Sequence, residues 1–463
     1  MVTIPLGTLD WESPSENVPR VRLHNMYLSE NVTSPDGVSR VSRPTLKRVT
    51  SFGSGPISSM WRQDGCFNGD WFVVSGTELY RVNRVTKVET KIANLPGTER
   101  AKFAGTSDRV IIIRNGVAYS YTPSFTVIAF PDDIPGAPPV PLIQGVVVIN
   151  GIFILTVKNT QRFYWLNPGD VDPDPLNFAS AERRPDDIEA VAINGDEIWF
   201  IGPQGPEVWS PANDPDLPFQ RINGRVYSDG NSNVDTVVSC VFNNLPCLLW
   251  TTPEGAVVIA QGSVKKISNE AIEEFLKTAT NTRAWSFRMN RHDFYILSSD
   301  QGTFAFDLGR GEWSRWDTYG KEYWIAHIGI QDGIFVYAGS DADSRIFVLE
   351  EGFDDDGLPV VREVSGLVAN PGKPTQCASV SVRVNAGWSD SYDQEPQLEL
   401  RWSDDQAATW SDYVFIGLGT KGNYTADTIF RSLGLIPRPG RVFEFRFAGR
   451  SRFRLDYATM NEA

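Results

Sequence analysis

Along most of the chain, apolar residues come in short runs rich in Val, Ile, Phe, Tyr and Trp, and Gly, Asn, Asp and Pro separate the runs. Runs of about four to eight such residues between turn formers read as β-strands. A helical period is almost absent. The exception is Ser268–Lys277, SNEAIEEFLK, where Ser268 stands in capping position and Ile272, Phe275 and Leu276 share one face. With 39 Gly and 30 Pro, the pattern predicts an all-β protein.

The strands recur as a unit. A first strand leads through a polar turn into a strongly apolar second strand. A Gly-containing turn follows, then a third strand mixing aromatic and polar residues, and a weaker edge strand. Units start at Ile57 (ISSMWRQ, DWFVVSG, TELYRV), Ala101 (AKFAGTS, RVIIIRN, GVAYSYT), Pro141 (PLIQGVVVIN, GIFILTVKN, QRFYWLN) and Ile188 (IEAVAIN, DEIWFIGPQ, PEVWSPA). Further starts fall at Thr236 (TVVSCVFNN, LPCLLWTTP), Arg283 (RAWSFRMN, HDFYILSSD) and Tyr323 (YWIAHIGIQ, DGIFVYAGS). A spacing of about 40–50 residues is that of four-stranded propeller blades. Stacked blades bury both faces of each sheet, which explains the continuous rather than alternating apolar second strands. The reading is a six- or seven-bladed β-propeller, since one of the seven units could be a pseudo-blade.

The flanks differ. Residues 1–52 are Pro-rich and extended, with Arg20, Arg22, Arg40, Arg43, Lys47 and Arg48; their apolar residues (Leu6, Leu9, Trp11, Met26, Tyr27, Leu28) are too few for a core. They read as an arm that packs on the C-terminal domain or on a neighbouring subunit. The stretch Glu351–Lys373, with Asp354, Asp355 and Asp356, reads as a linker. Beyond it CASVSVRVNAG, QLELRWSDD, YVFIGLG, RVFEFRFAG and SRFRLDYATM alternate with period two, the mark of half-buried antiparallel strands. The domain division is an arm at 1–52, a propeller at 53–365 and a C-terminal β-sandwich at 366–463.

Charge changes the picture in one respect. The 57 acidic and 43 basic residues give a net charge of −14, which argues against an electrostatic clamp on nucleic acid. Four cysteines without a CxxC pair, and three scattered histidines, predict neither a disulfide framework nor a metal centre. No cofactor is expected. The N-terminus lacks the basic and apolar segments of a secretory signal, and no apolar run is long enough to span a bilayer; a soluble protein made in the cytoplasm is expected.

Candidate chemistry is sparse. SDDQAATW (Ser403–Trp410) resembles the Asp-box turn of sialidase-type propellers, with Gln406–Ala407 where the box has glycine. The pairs Asp132–Asp133, Asp186–Asp187 and Asp404–Asp405 and the triple Asp354–Asp356 lie beside Pro or Gly, and adjacent carboxylates point apart. Glycoside hydrolysis needs two that face each other. DVDPD (Asp170–Asp174) and DPD (Asp214–Asp216) lack the glycine and terminal Glu of a calcium loop. His292 and His327 have no ligand partner at suitable spacing, and no G-x-S-x-G elbow occurs. The chain is not expected to be an enzyme. Against its acidic background, Arg431, Arg438, Arg441, Arg446, Arg450, Arg452 and Arg454 stand out as either one solvated strand face or a docking surface for an acidic partner, such as a neighbouring subunit or an adaptor, since arginine is favoured at interfaces, with direct DNA binding as the third reading.

Taken in order, RLHNMYLSE, VSRPTLKRV, SMWRQ…DWFVVSGTELYRV, SNEAIEEFLK, HDFYILSS…GTFAFDLGRGEWSRW, LELRWSDDQAATWSD, GTKGNYTADTIFRSLG and GRVFEFRFAG resemble the packaged-DNA-stabilization proteins of short-tailed bacteriophages, also known as tail accessory factor, tail hub or nozzle-type proteins. The family's RPGL strand has Thr45 in place of its glycine here. The resemblance implies a virion tail component, assembled in the host cytoplasm, that forms a homohexameric ring below the portal and head-to-tail adaptor. It would prolong the DNA channel, close the filled head, and carry tailspikes or fibres and a needle or plug. Double-stranded DNA would pass it without sequence recognition, and no membrane insertion is implied. The alternative from the residues alone is a carbohydrate-binding or carbohydrate-cleaving propeller, given 14 Trp and 14 Tyr. Most of these, such as Trp71, Trp165, Trp199, Trp209 and Trp250, fall inside the strand repeats. A scaffolding propeller of cellular origin is the third reading.

Overall fold

The computed structural model describes residues 2–7, 22–130, 141–214, 216–385, 395–419, 422 and 426–462. Leu9, Trp11, Arg20 and the pair Asp132–Asp133 lie outside them. The chain divides into two compact bodies: Met1–Arg48 with Ser298–Trp324 and Val348–Ala463, and Val49–Leu297 with Ile325–Phe347.

The second body is a β-propeller. The first strands of its units are Ile57–Trp61, Lys102–Gly105, Ile143–Ile149, Ala190–Asn194, Val238–Phe242, Arg283–Met289 and Ala326–Asp332, close to the starts expected from the repeat. Six units form separate four-stranded sheets, five of them from consecutive strands. The unit at Arg283 is the exception, because its later strands, Gly302–Asp307 and Glu312–Trp316, belong to the first body. The sheet of Ala326–Asp332, Phe335–Ser340 and Arg345–Glu350 takes its outer strand from Thr45–Ser51, so the chain's early residues complete its last blade.

First strands of successive units are tied side by side. The Ala101 amide donates to Ser59 Oγ at 2.7 Å, Gln144 to the Glu189 carbonyl at 2.7 Å, and Ser239 to the Ile193 carbonyl at 2.8 Å. Trp285 donates to the Ala326 carbonyl at 3.2 Å, and His327 Nε2 lies 3.3 Å from the Ile57 carbonyl, which links the last unit to the first. Between the sheets lie separate apolar cores. One joins Phe72 and Val74 to Val110 and Ile112, another Phe163 and Trp165 to Ile198 and Phe200, a third Trp199 and Ile201 to Leu248 and Trp250. Each large side chain so buried contributes about 1.5–3 kcal/mol.

In the first body, one sheet runs in the order Met26–Glu30, Val38–Ser42, Arg454–Glu462, Thr375–Asn385, Ala426–Arg431, with Val2–Thr3 paired to Arg454–Glu462. A second set runs Gly302–Asp307, Glu312–Trp316, Leu23–His24, Arg362–Ala369, Gly440–Phe447, Gln397–Ser403, Val414–Gly417. Ile4, Met26, Val380, Phe430, Phe445 and Leu455 from both sets share one core.

Two expectations need correction. The stretch read as a linker is ordered: Arg362–Ala369 pairs along its whole length with Gly440–Phe447, and Arg362 is fully buried. Its alternation, REVSGLVA, was hidden by the Asp, Pro and Gly that precede it. The single α-helix among the described residues, Glu270–Thr278, is capped by Asn269, whose side chain accepts from the Ile272 amide at 3.0 Å. Ser268, expected as the cap, instead donates to Glu273 and accepts from the Val257 amide.

Candidate functional site

Charged side chains stand at or just before the start of several first strands, and Arg100, Lys102 and Asp235 line a central chamber between those strands. Lys102, which opens its strand, forms an ion pair with Asp235 from the turn Val234–Thr236. Arg283 pairs with Asp341 at 3.2 Å, and His327 Nδ1 lies 3.2 Å from the same carboxylate. Among the described residues, Arg100 donates only to main-chain oxygens, of Ser58 at 3.4 Å and of His327 at 3.2 Å. Burial lowers the Arg100 pKa to about 10 against the pull of Asp235, with Arg283 adding to the shift and Asp341 opposing it. Burial, joined by the Arg283 and Arg100 charges, lowers His327 to about 4 despite Asp341. Burial would raise Asp235, but Lys102 and Arg100 outweigh it and hold the carboxyl below its ordinary value.

Two cavities meet at this cluster. A chamber of about 530 Å³ is lined by Arg100, Lys102 and Asp235 together with Trp61, Phe103 and Val148, and a cavity of about 330 Å³ shares Arg100, Lys102, Val234 and Asp235 with it. These volumes suit a small ligand, not a duplex.

Several of the described acidic residues are engaged within the fold. Asp186 accepts from the Gln204 amide at 2.8 Å. Asp404 forms an ion pair with Arg441 at 2.6 Å, and Asp355 forms one with Arg43 at 2.6 Å. Asp170, Asp172 and Asp174 accept from the amides of Asn167, Ala129 and Leu176, and Asp214 from that of Asp216. Ser403–Trp410 folds as a turn of the Asp-box kind: Asp405 Oδ1 accepts from the Thr409 amide at 2.8 Å, and Gln406 and Ala407 take φ of 61° and 75°. The Thr409 hydroxyl and amide, with Ser403, bring the Asp405 pKa down to about 2. His292 stacks on Phe294. Cys240 and Cys247, the one pair close in sequence, face each other across two strands with sulfurs 3.0 Å apart.

The seven arginines do not form one patch of free cations. Arg441 is 3% exposed and donates to the carbonyls of Leu433 and Leu435 besides Asp404. Arg446 pairs with Glu399 at 2.9 Å and Glu363 at 3.5 Å, and Arg454 with Asp456 at 2.8 Å. Arg450 pairs with Asp354 at 2.5 Å and Arg452 with Glu351 at 3.3 Å. Arg431 and Arg438 are exposed. Sequence reasoning did not single out the channel cluster. The available signal was a charged residue opening or preceding an otherwise neutral first strand, as in TERAKFAG.

A sequence model described as bacteriophage P22 Gp10, β-propeller, matches residues 24–352. No curated protein matches the chain. Among solved structures, the chain is similar to the computationally designed Ika8 protein (13% identity, 74% of this chain and 99% of that one, TM-score 0.40). It is also similar to YCF48 from Cyanidioschyzon merolae (12%, 66% and 98%, TM-score 0.43). A third is the extracellular domain of the putative hybrid two component system BT4673 from B. thetaiotaomicron (10%, 90% and 60%, TM-score 0.46).

Proposed function

The chain belongs to the bacteriophage P22 Gp10 β-propeller family, and from that membership we propose that this phage structural protein is a tail hub, or nozzle, of the virion. In this reading identical subunits assemble as a homohexameric ring that extends the DNA channel of the portal and head-to-tail adaptor. The ring closes the filled head and carries spikes or fibres and a needle or plug. The protein acts by assembly and not by catalysis. The observation that carries the proposal is the family match over residues 24–352. The engaged state of the carboxylates described above agrees with it, and so does the net charge of −14, which keeps passing DNA from adhering.

The first body, in this proposal, is a β-sandwich with the N-terminal strands built into it, and it serves as the docking domain. Duplex DNA would follow the axis of the ring and not the propeller's own channel, whose chamber of about 530 Å³ is far too small. Electron microscopy of the purified protein mixed with portal and adaptor tests the proposal. Rings of six copies coaxial with the portal are expected. A protein that stays monomeric and fails to bind portal or adaptor would overturn it.

A further inference from the structure

We propose that the propeller's central chamber is a binding site for a small organic monoanion with an apolar body, such as an aryl carboxylate. The charged groups lining the chamber are Arg100, Lys102 and Asp235. Lys102 and Asp235 neutralise one another in their ion pair. Arg100 forms no ion pair among the described residues; two main-chain oxygens, of Ser58 and His327, are its acceptors. Asp235 attracts Arg100 as well as Lys102, so the three charged groups leave the chamber with one net positive charge, in a chain whose net charge is −14. A buried charge without a counter-charge is costly, and a guanidinium has five donors in a fork suited to a carboxylate.

The neighbouring groups keep the excess. Arg283 and Asp341 are paired to each other, and burial keeps His327 neutral. On the side of the smaller cavity Glu99 pairs with Lys158 at 3.5 Å. Arg114 donates to the carbonyls of Glu99, Gly76 and Leu95. Burial raises the pKa of Glu189, opposed by the Gln144 hydrogen bond and the Lys158 and Lys102 charges.

The apolar half of the ligand is set by the rest of the wall. Arg100 and Lys102 stand at the beginning of their strand. Trp61, Phe103, Val148 and Ile193 lie further along theirs. The chamber thus grades from a cationic end to an apolar one, and about 530 Å³ is within the range of drug-sized ligands. Inorganic phosphate would satisfy the cation and leave the apolar wall unused.

The test is saturation-transfer NMR and thermal shift on the full chain with phenylacetate, its neutral analogue phenylacetamide, and inorganic phosphate. Phenylacetate is expected to bind saturably and raise Tm, with phenylacetamide and phosphate each at least about 10-fold weaker. Arg100→Met is expected to weaken phenylacetate by a similar factor. Val148→Trp, which fills the apolar end and leaves Arg100 in place, is expected to block it, so the site stays testable if Arg100→Met does not fold. Equal binding of phenylacetamide, equal binding of phosphate, unchanged binding in folded variants, or no saturable binding of phenylacetate at millimolar concentration would each overturn the proposal.

Discussion

His327 shows how burial can outweigh a neighbouring carboxylate. It is 4% exposed, and its pKa falls from 6.5 to about 4 in the folded chain. Between those values the unfolded chain binds a proton that the native one does not, so stability rises with pH across the window and is lost as pH falls from about 6.5 to about 4. The loss is on the order of 3 kcal/mol. Urea unfolding at pH 7 and pH 4.5 should show it, and His327→Gln should flatten that part of the profile. Arg43 makes the complementary case. Its guanidinium is fully enclosed, with Asp355 at 2.6 Å, Asn25 at 2.8 Å and the Asp317 carbonyl at 2.6 Å as acceptors. Arg43→Met strands the Asp355 carboxylate and should destabilise the protein by about 3–5 kcal/mol, measured as a lowered urea midpoint at unchanged m-value.

Elements in the propeller are spaced by small residues as much as filled by large ones. Gly329 lies on the first strand of its blade, where an added Cβ would come within 2.3 Å of the Trp285 ring and 2.6 Å of the Tyr337 carbonyl. The neighbouring first strand can approach only because that side chain is missing. Gly329→Val should therefore cost about 1–3 kcal/mol through overpacking, read as a fall in Tm with no change in strand content by circular dichroism. Turns between strands follow simpler rules. Asn115–Gly116 and Asn150–Gly151 take φ of 51° and 77°, and of 51° and 79°, the left-handed pair that a two-residue hairpin needs.

The whole molecule depends on which charges remain available after each body has folded. Arg441 does not: Asp404 and two carbonyls hold it inside. Arg431 and Arg438 are exposed, and under the tail-hub proposal they are the candidates for contacts with a neighbouring subunit or the adaptor. Each exposed ion pair is worth a few tenths to about 1 kcal/mol, but repetition around a ring multiplies it. The double variant Arg431→Glu, Arg438→Glu should keep its Tm and lose ring or adaptor binding in a salt-dependent way, followed by sedimentation in the presence of the adaptor. Arg441→Glu should lower Tm before any question of docking arises. Unchanged binding by the double variant would place the docking surface elsewhere.

Local chemistry made the strands, their period and the turns legible in the sequence. The Val–Ile–Phe–Trp runs, the Asn–Gly hairpins and the recurrence of first strands from Ile57 to Ala326 each involve residues near one another in the chain. The same local view misplaced Arg362–Ala369, because turn formers beside it masked the alternation. Charge partnerships were decided by the tertiary structure. Lys102 meets Asp235, Arg43 meets Asp355, and Arg441 meets Asp404. These residues are distant in sequence, and a list of charges does not say which of them the fold will bring within reach. Thus an arginine-rich stretch that reads as one surface is distributed over internal pairs and a few exposed side chains, while Arg100, one charged residue among many in the sequence, shares the Asp235 carboxylate with Lys102 in the channel.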